Sequence, residues 1–283
     1  MKDLTYTYYK RNLDFLLDWT EKQKEMIREI KYPANDVRKD FFKLSYTNVY
    51  HYYIGYFNLF TSHTAKDGYL KLDDSLSNFK IHVDRWAEIS HFPVLERGNF
   101  NTLNQRLFVF AWSIFELAVS TFFAAVADEE ELQKILSMDY NEVLKCVIVN
   151  EGKEDKLKKI LIKNNLAHVS INRKYNYLLK KVRGYGRSVI DDRAFLDFFG
   201  KMRNTMHTNF IYFGQDYEYR FGQAHFVFEN NKQVVWSDPF DEGNIPNVKL
   251  YIYLIGHLNE IFREIIRCIF HEGVILYPDP TTE

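Results

Sequence analysis

The sequence predicts a mainly α-helical protein: a helical bundle with one small β-hairpin and an additional helical segment at its N-terminus. Apolar residues recur at spacings of three and four along most of the chain, as they do on one face of a helix. The alternation typical of strands is confined to residues 217–236. With 46% hydrophobic and 17% aromatic residues, a chain of 283 residues has ample material for a buried core.

Residues 1–92 are predicted to form the N-terminal helical segment. A first helix is expected over residues 3–31, and Asn35 or Asp36 can cap a second one that ends near residue 62. The second helix carries a stripe of aromatic side chains, which can stack nucleobases but is more typical of a face packed in a core, the interpretation we favour. A third helix is expected over residues 73–90. Irregular residues 91–99 then lead to the main body, and the connection is short enough for the two parts to pack as one unit.

The main body, residues 100–283, begins with a long apolar helix over residues 102–128. Residues 107–127 are long enough to span a bilayer, and Glu116 is their only charged residue. Because a carboxylate at the centre of a span is costly and acidic residues follow at once, we favour the buried central helix of a bundle and expect no membrane partner.

Further elements follow at shorter intervals. Short helices are expected between residues 130 and 182, a helix over residues 191–212 and a last helix over residues 248–270. Between the last two, a hairpin is expected near residues 217–236, with one strand over residues 217–229, a turn at Asn230-Asn231 and a return strand over residues 232–236.

Composition restricts the possible functions. The net charge of −1 does not indicate a globally basic nucleic-acid binder, and the lysine-rich residues 153–159 and 180–183 are typical of solvated helix faces. Two cysteines, Cys146 and Cys268, make no disulfide framework, so we expect a cytoplasmic protein. The sequence contains no phosphate-binding glycine loop and no metal-ligand motif, and no cofactor or metal is expected.

One cluster carries the residue types that chemistry on a phosphodiester needs. Arg203 and His207 are four residues apart and share a face of the predicted helix, with Asn204 and Asn209 beside them. Arginine offers a permanent cation with a donor fork that suits phosphate, and histidine gives and takes protons near neutral pH. The 2′-hydroxyl of RNA supplies the nucleophile, so that cleavage needs no metal. Asn204 and Asn209 are candidates for orienting His207 or the phosphate.

The Arg203-Asn204-Thr205-Met206-His207 pattern resembles the signature of the HEPN family, the higher-eukaryote and prokaryote nucleotide-binding helical domains. The gap between Arg203 and His207 is shorter than the family's usual one, and the resemblance covers residues from about 100 to 283. It implies that Arg203 and His207 are catalytic with Asn204 in support, and that Glu116 faces the site from the central helix. It also implies a metal-independent endoribonuclease that works as a homodimer in prokaryotic defence or toxin–antitoxin systems.

The resemblance further implies that the helix with the motif lies at the dimer interface, where some of Phe195, Phe199, Phe210 and Tyr212 contact the second subunit. A different class of function stays open from the sequence: a non-catalytic interaction or RNA-binding module, such as an antitoxin-like partner or a scaffold. An open position of Arg203 and His207 favours the enzyme, whereas burial of both in ion pairs favours the module.

Overall fold

The computed structural model describes residues 2–66, 93–128, 170–240 and 248–278, and all structural statements below concern these residues. They form helices over most of their length, which confirms the predicted mainly helical class. The helices are α1 (Lys2–Glu29), α2 (Val37–Lys66), α3 (Pro93–Val126), α4 (Ile171–Lys181), α5 (Val189–Met206) and α6 (Lys249–Cys268). The helices predicted over residues 73–90 and between residues 130 and 164 lie outside the described residues.

Helix α2 packs against three other helices of the bundle. Asp36 begins it as a cap, because its side-chain Oδ1 accepts a hydrogen bond of 2.9 Å from the Arg38 backbone N–H. Along its length α2 packs against α1, α3 and α6. The rings of Phe41, Phe115 and Phe262, from α2, α3 and α6, meet with centroid distances of 4.3 to 6.4 Å. The N-terminal segment therefore shares one hydrophobic core with the main body.

Helix α3 begins at Pro93, so residues 93–99 are helical and not irregular as the sequence suggested. Proline is accepted in the first turn of a helix because the amide hydrogen that it lacks has no partner there. Residues Phe100–Val126 are apolar and long enough to cross a membrane, and 56% of the most apolar window is buried inside the protein. Phe108, Phe115 and Phe122 of this helix are fully buried among the other helices, as expected for a central core helix.

The β structure falls in the predicted region, but it has three strands where two were expected. Strands β1 (Tyr217–Phe221), β2 (Ala224–Phe228) and β3 (Val235–Ser237) form an antiparallel sheet in the order β1-β2-β3. The first turn lies at Gly222-Gln223, and Asn230-Asn231 belongs to the second connection. Gly222 has φ +56°, a conformation that costs glycine little, and it can therefore close a two-residue hairpin inside what reads as one long strand.

The sheet packs on α5 through aromatic side chains. Phe198 stacks on Tyr219 with ring centroids 4.3 Å apart and meets Phe226 at 4.6 Å. On the opposite side of α5, Phe199 stacks on Phe108 of α3 at 3.9 Å. These contacts fix α5 between the sheet and the central helix.

Candidate functional site

The sequence motif lies at the C-terminal end of α5, and this helix ends earlier than predicted. The helix ends at Met206 and does not continue to residue 212. The backbone N–H of Phe210 donates to the Thr205 carbonyl at 2.7 Å, and Asn209 adopts a left-handed conformation with φ 53°. This hydrogen bond and the left-handed residue before its donor are two features of a Schellman motif, in which asparagine is one of the residues that tolerate the left-handed position. The chain then turns toward the sheet, where the Phe210 carbonyl accepts from Val234.

Arg203 and Asn204 lie in the last turn of α5. Arg203 is half-buried, and its Nη1 donates a hydrogen bond of 3.1 Å to Oδ1 of the exposed Asn204. Its Nε is buried and has no hydrogen-bond partner among the described residues. Neither Asp191 nor Asp197 pairs with Arg203; Asp197 instead accepts a hydrogen bond from the Tyr175 hydroxyl. The guanidinium is thus oriented by Asn204 without being neutralised by a carboxylate of the described residues.

His207 is exposed and stands one turn after Arg203. Its backbone stays in the right-handed helical region, with φ −78° and ψ −14°, so the two side chains emerge on the same face as i and i+4 neighbours. Gln105 of α3 donates from Nε2 to the Met206 carbonyl at 2.6 Å. One of the carbonyls left unpaired at the helix end is thereby satisfied, and the turn carrying His207 is tied to the central helix.

Asn209 and Glu116 have positions that differ from those of Arg203 and His207. Asn209 is exposed, but its backbone conformation already gives it the structural task of ending the helix. Glu116 is half-buried on α3 and lies near Lys174 of α4, whose Nζ donates to Ser120 at 2.8 Å. Gln105 reaches Met206 and Trp112 lies beside Gly200, so the level of Arg203 falls between Gln105 and Trp112 of α3. Glu116 stands four residues beyond Trp112, roughly 6 Å further along the helix axis. The structure does not bring Glu116 beside Arg203.

Three of the four aromatic residues expected at a dimer interface are instead part of the core. Phe195 and Phe199 are fully buried within the chain, between the sheet and α3, so they cannot meet a second subunit. Tyr212 is also buried, whereas Phe210 is half-buried and Phe213 is exposed. Because α5 packs closely against other elements on both sides, it buries aromatic side chains that periodicity alone left available for a dimer interface.

The opposite end of α5 carries a polar cluster that no sequence pattern indicated. Asp192 is buried and accepts two hydrogen bonds of 2.9 Å from Arg187, at Oδ1 and Oδ2. The Tyr185 hydroxyl donates to the same carboxylate at 2.6 Å, and His257 of α6 lies 3.4 Å from it. Arg187 also reaches Glu260 of α6 at 2.6 Å. The cluster fastens the connection between α4 and α5 to α6.

The charge of Asp192 is preserved by these partners. Burial alone raises the pKa of this carboxyl, but hydrogen bonds from His257, Arg187 and Tyr185 more than offset burial, and the net pKa lies well below its ordinary value. The Asp192 hydrogen bond in turn raises the pKa of Arg187. No sequence signal pointed to the cluster, because Asp192 and His257 come from distant helices and Tyr185 sits in a glycine-rich turn.

The described residues contain no group of three or more histidine, cysteine or carboxylate side chains that could hold a metal ion. The cysteine among them, Cys268, is free. No known protein family, characterised protein or solved structure matches this chain.

Proposed function

We propose that the protein is a metal-independent endoribonuclease of a prokaryotic defence or toxin–antitoxin system, acting in the cytoplasm through Arg203 and His207. The observation that carries the proposal is the exposed His207 one helical turn after an arginine that no described carboxylate neutralises. An imidazole open to solvent can exchange protons with a substrate, and an unpaired guanidinium can bind a phosphate. An interaction module would be favoured if both residues were buried in ion pairs. Among the described residues, neither side chain is held in this way.

The chemistry that fits this pair is transfer of the phosphoryl group to the neighbouring 2′-hydroxyl. The 2′-oxygen attacks phosphorus while the bond to the 5′-oxygen breaks, giving a 2′,3′-cyclic phosphate and a 5′-hydroxyl. His207 accepts the proton of the 2′-hydroxyl, and a second imidazole returns a proton to the leaving oxygen. Arg203 stabilises the negative charge that develops on the phosphate oxygens. Asn204 holds the guanidinium in place.

A homodimer supplies the second imidazole. A two-fold axis near the end of α5 brings His207 of another subunit to the same phosphate without any further residue type.

The same end of the bundle also offers a surface on which RNA can lie. Arg106, the residue after Gln105, is exposed and its guanidinium lies 5.5 Å from the centroid of the Phe110 ring, which is also exposed. A cation next to an aromatic face is the combination that binds single-stranded nucleic acid through phosphate and base.

The decisive experiment incubates the purified full-length protein with mixed single-stranded RNA in the presence of EDTA. We expect cleavage with 2′,3′-cyclic phosphate ends, detected by resistance of the products to a 3′-ligation that requires a free hydroxyl. Arg203→Ala and His207→Ala should each reduce the rate by at least about a hundredfold, the usual contribution of general acid–base or electrostatic catalysis. Their melting temperatures should stay close to that of the wild type, because neither side chain is part of the core.

The chain offers its own matched control. Arg220 and His225 form a second arginine–histidine pair, directly opposite each other on β1 and β2, where His225 contacts Glu218 at 3.0 Å. Arg220→Ala and His225→Ala should leave cleavage unchanged. Activity that disappears with chelator, or that survives both motif substitutions, contradicts the proposal. RNA that binds without being cut supports the non-catalytic module instead.

A further inference from the structure

A cavity of about 450 Å³ lies between α1, α6 and β1, at the end of the bundle remote from His207. Its walls include apolar and aromatic side chains from three separate elements, namely Trp19, Met26, Phe221, Ile252 and Tyr253. Its volume falls in the range of sites that hold small organic molecules. One wall is rigid, because His257 and Glu260 are held by the Asp192–Arg187 cluster.

The absence of a side chain at Gly256 contributes to this space. An ideal Cβ at Gly256 would lie 3.9 Å from Nε1 of Trp19, so any larger side chain there would grow into the cavity next to the indole. Glycine in the interior of a helix costs about 1 kcal/mol relative to alanine. Glycine at position 256 therefore leaves the cavity unfilled, although most other residues have a higher helix propensity at this position.

Unpaired hydrogen-bond donors line the same cavity. Asn259 is only 4% exposed, its Oδ1 accepts from Ser45 at 3.0 Å, and its buried Nδ2 has no partner among the described residues. Trp19, Gln23 and Arg263 also line the cavity, and no hydrogen bond of their side chains is found within the described part of the chain. A buried amide N–H without a partner is costly, and such groups are normally satisfied by protein, water or a ligand.

We propose that this cavity is a binding site for a small organic anion, a carboxylate or phosphate carried on a flat apolar body. Ile252 and Asn259 are buried and mark its depth, whereas Arg263 and Glu260 are exposed and mark its opening, with the Glu260 carboxylate paired to Arg187. The apolar body lies between Trp19, Phe221 and Tyr253, and the anionic group meets the fork of Arg263 at the opening. The indole N–H and the amides of Gln23 and Asn259 donate to the remaining acceptors. This site is separate from Arg203 and His207 and does not rest on the proposed ribonuclease activity.

The proposal is tested on the full-length protein with four probes that share one ring and differ in charge. Phenyl phosphate and benzoate are the two anions, benzyl alcohol is neutral and benzylamine is cationic; binding is followed by saturation-transfer nuclear magnetic resonance and by tryptophan fluorescence. We expect at least one anion to bind in preference to the alcohol and the amine. Which of the two anions binds more tightly distinguishes a phosphate ligand from a carboxylate ligand.

Three substitutions connect the binding to this cavity. Arg263→Gln should weaken binding of the preferred anion about tenfold or more, since it removes a charged hydrogen bond. Arg267→Gln, one turn further along α6 and outside the cavity, is the matched control and should leave binding unchanged. Gly256→Leu should abolish binding of every probe while the protein stays folded, because it fills the cavity and replaces a helical glycine.

The double variant Arg203→Ala/His207→Ala separates the two proposals, because its anion binding should equal that of the wild type whether or not the wild type cuts RNA. The cavity proposal is overturned if no anion binds at millimolar concentration. It is also overturned if benzylamine binds as well as the anions, or if Gly256→Leu and Arg263→Gln leave the affinity unchanged.

Discussion

At the scale of single residues, Asp192 shows how a buried charge is kept. Its carboxylate has three partners, Arg187, Tyr185 and His257, and loss of its charge leaves Arg187 without its main counterion. We expect Asp192→Asn to lower the free energy of unfolding by about 3 kcal/mol, near the lower end of the range for breaking a buried ion pair, because Arg187 keeps some contact with water. Urea denaturation followed by circular dichroism measures this change.

The adjacent carboxylate is the control for that substitution. Asp191 is exposed in the first turn of α5, where the helix dipole favours its charge. Asp191→Asn should therefore cost no more than about 1 kcal/mol. Equal losses in the free energy of unfolding for the two variants would show that the buried contacts of Asp192 do not stabilise the protein.

Acid stability should depend on Asp36 and Asp192, the two buried carboxylates of the described residues. Burial raises the pKa of Asp36, but hydrogen bonds from Arg38 and the Ile275 backbone outweigh it, so that its net pKa, like that of Asp192, is lower in the folded protein than in the unfolded chain. A lowered pKa stabilises the folded state above the unfolded value, about 3.9 for aspartate, and this stabilisation is lost as the pH falls below it.

The melting temperature should consequently fall as the pH is lowered from 5 toward 3, and the fall should be smaller in Asp192→Asn than in the wild type. Calorimetry across that range tests this expectation. If the melting temperature of the variant fell with pH as steeply as that of the wild type, Asp192 would not contribute to the loss of stability in acid.

At the scale of elements, the left-handed conformation of Asn209 contributes to ending α5, together with the hydrogen bond from Gln105 of α3. The left-handed conformation costs glycine almost nothing and is strained for a β-branched residue. Asn209→Gly should keep stability within about 0.5 kcal/mol, whereas Asn209→Val should lose roughly 1 to 3 kcal/mol. Chemical denaturation of the two variants gives the comparison.

The same pair of variants separates a structural Asn209 from one that binds substrate. Asn209→Gly removes the amide and preserves the turn, so unchanged RNA cleavage in this variant assigns Asn209 to the helix end alone. A loss of cleavage in a variant of normal stability would instead support the substrate contact suggested by the sequence.

Packing of α5 on α3 depends on Gly200. A Cβ at this position would lie 3.2 Å from the ring of Trp112, which is itself stacked against Phe199 at 5.6 Å. Gly200→Ala should be close to neutral, because a gain in helix propensity of about 1 kcal/mol offsets the crowding. Gly200→Val should destabilise the protein by about 1 to 3 kcal/mol, as overpacked cores do. Thermal denaturation of both variants checks the order, and equal stability of the two would argue against a tight contact.

At the scale of the whole molecule, the bundle has one core that includes the N-terminal segment, and the expected assembly is a homodimer through the end of α5. Of the four aromatic residues suggested by the sequence, Phe210 remains partly accessible, and the neighbouring Phe213 is exposed. Sedimentation velocity at micromolar concentration should give about twice the 33.9 kDa of one chain. Phe213→Ser should shift the equilibrium toward monomer.

Subunit mixing tests the facing motifs. Excess His207→Ala chains added to the wild type should depress cleavage beyond simple dilution once subunits exchange, because mixed dimers hold only one imidazole. A strictly monomeric protein that still cleaves RNA would show that one motif suffices.

The sequence by itself determined the helical class, the region of the sheet and the spacing of Arg203 and His207 by one helical turn, because periodicity and motif spacing are local properties. Several features were decided only by tertiary structure. Among them are the third strand, which needs the turn at Gly222, and the end of α5 at Met206, which is tied to Gln105 of α3. The Asp192 cluster and the cavity beside Trp19 likewise unite residues from distant elements. Such features depend on contacts between segments far apart in the chain, and local sequence patterns do not predict those contacts.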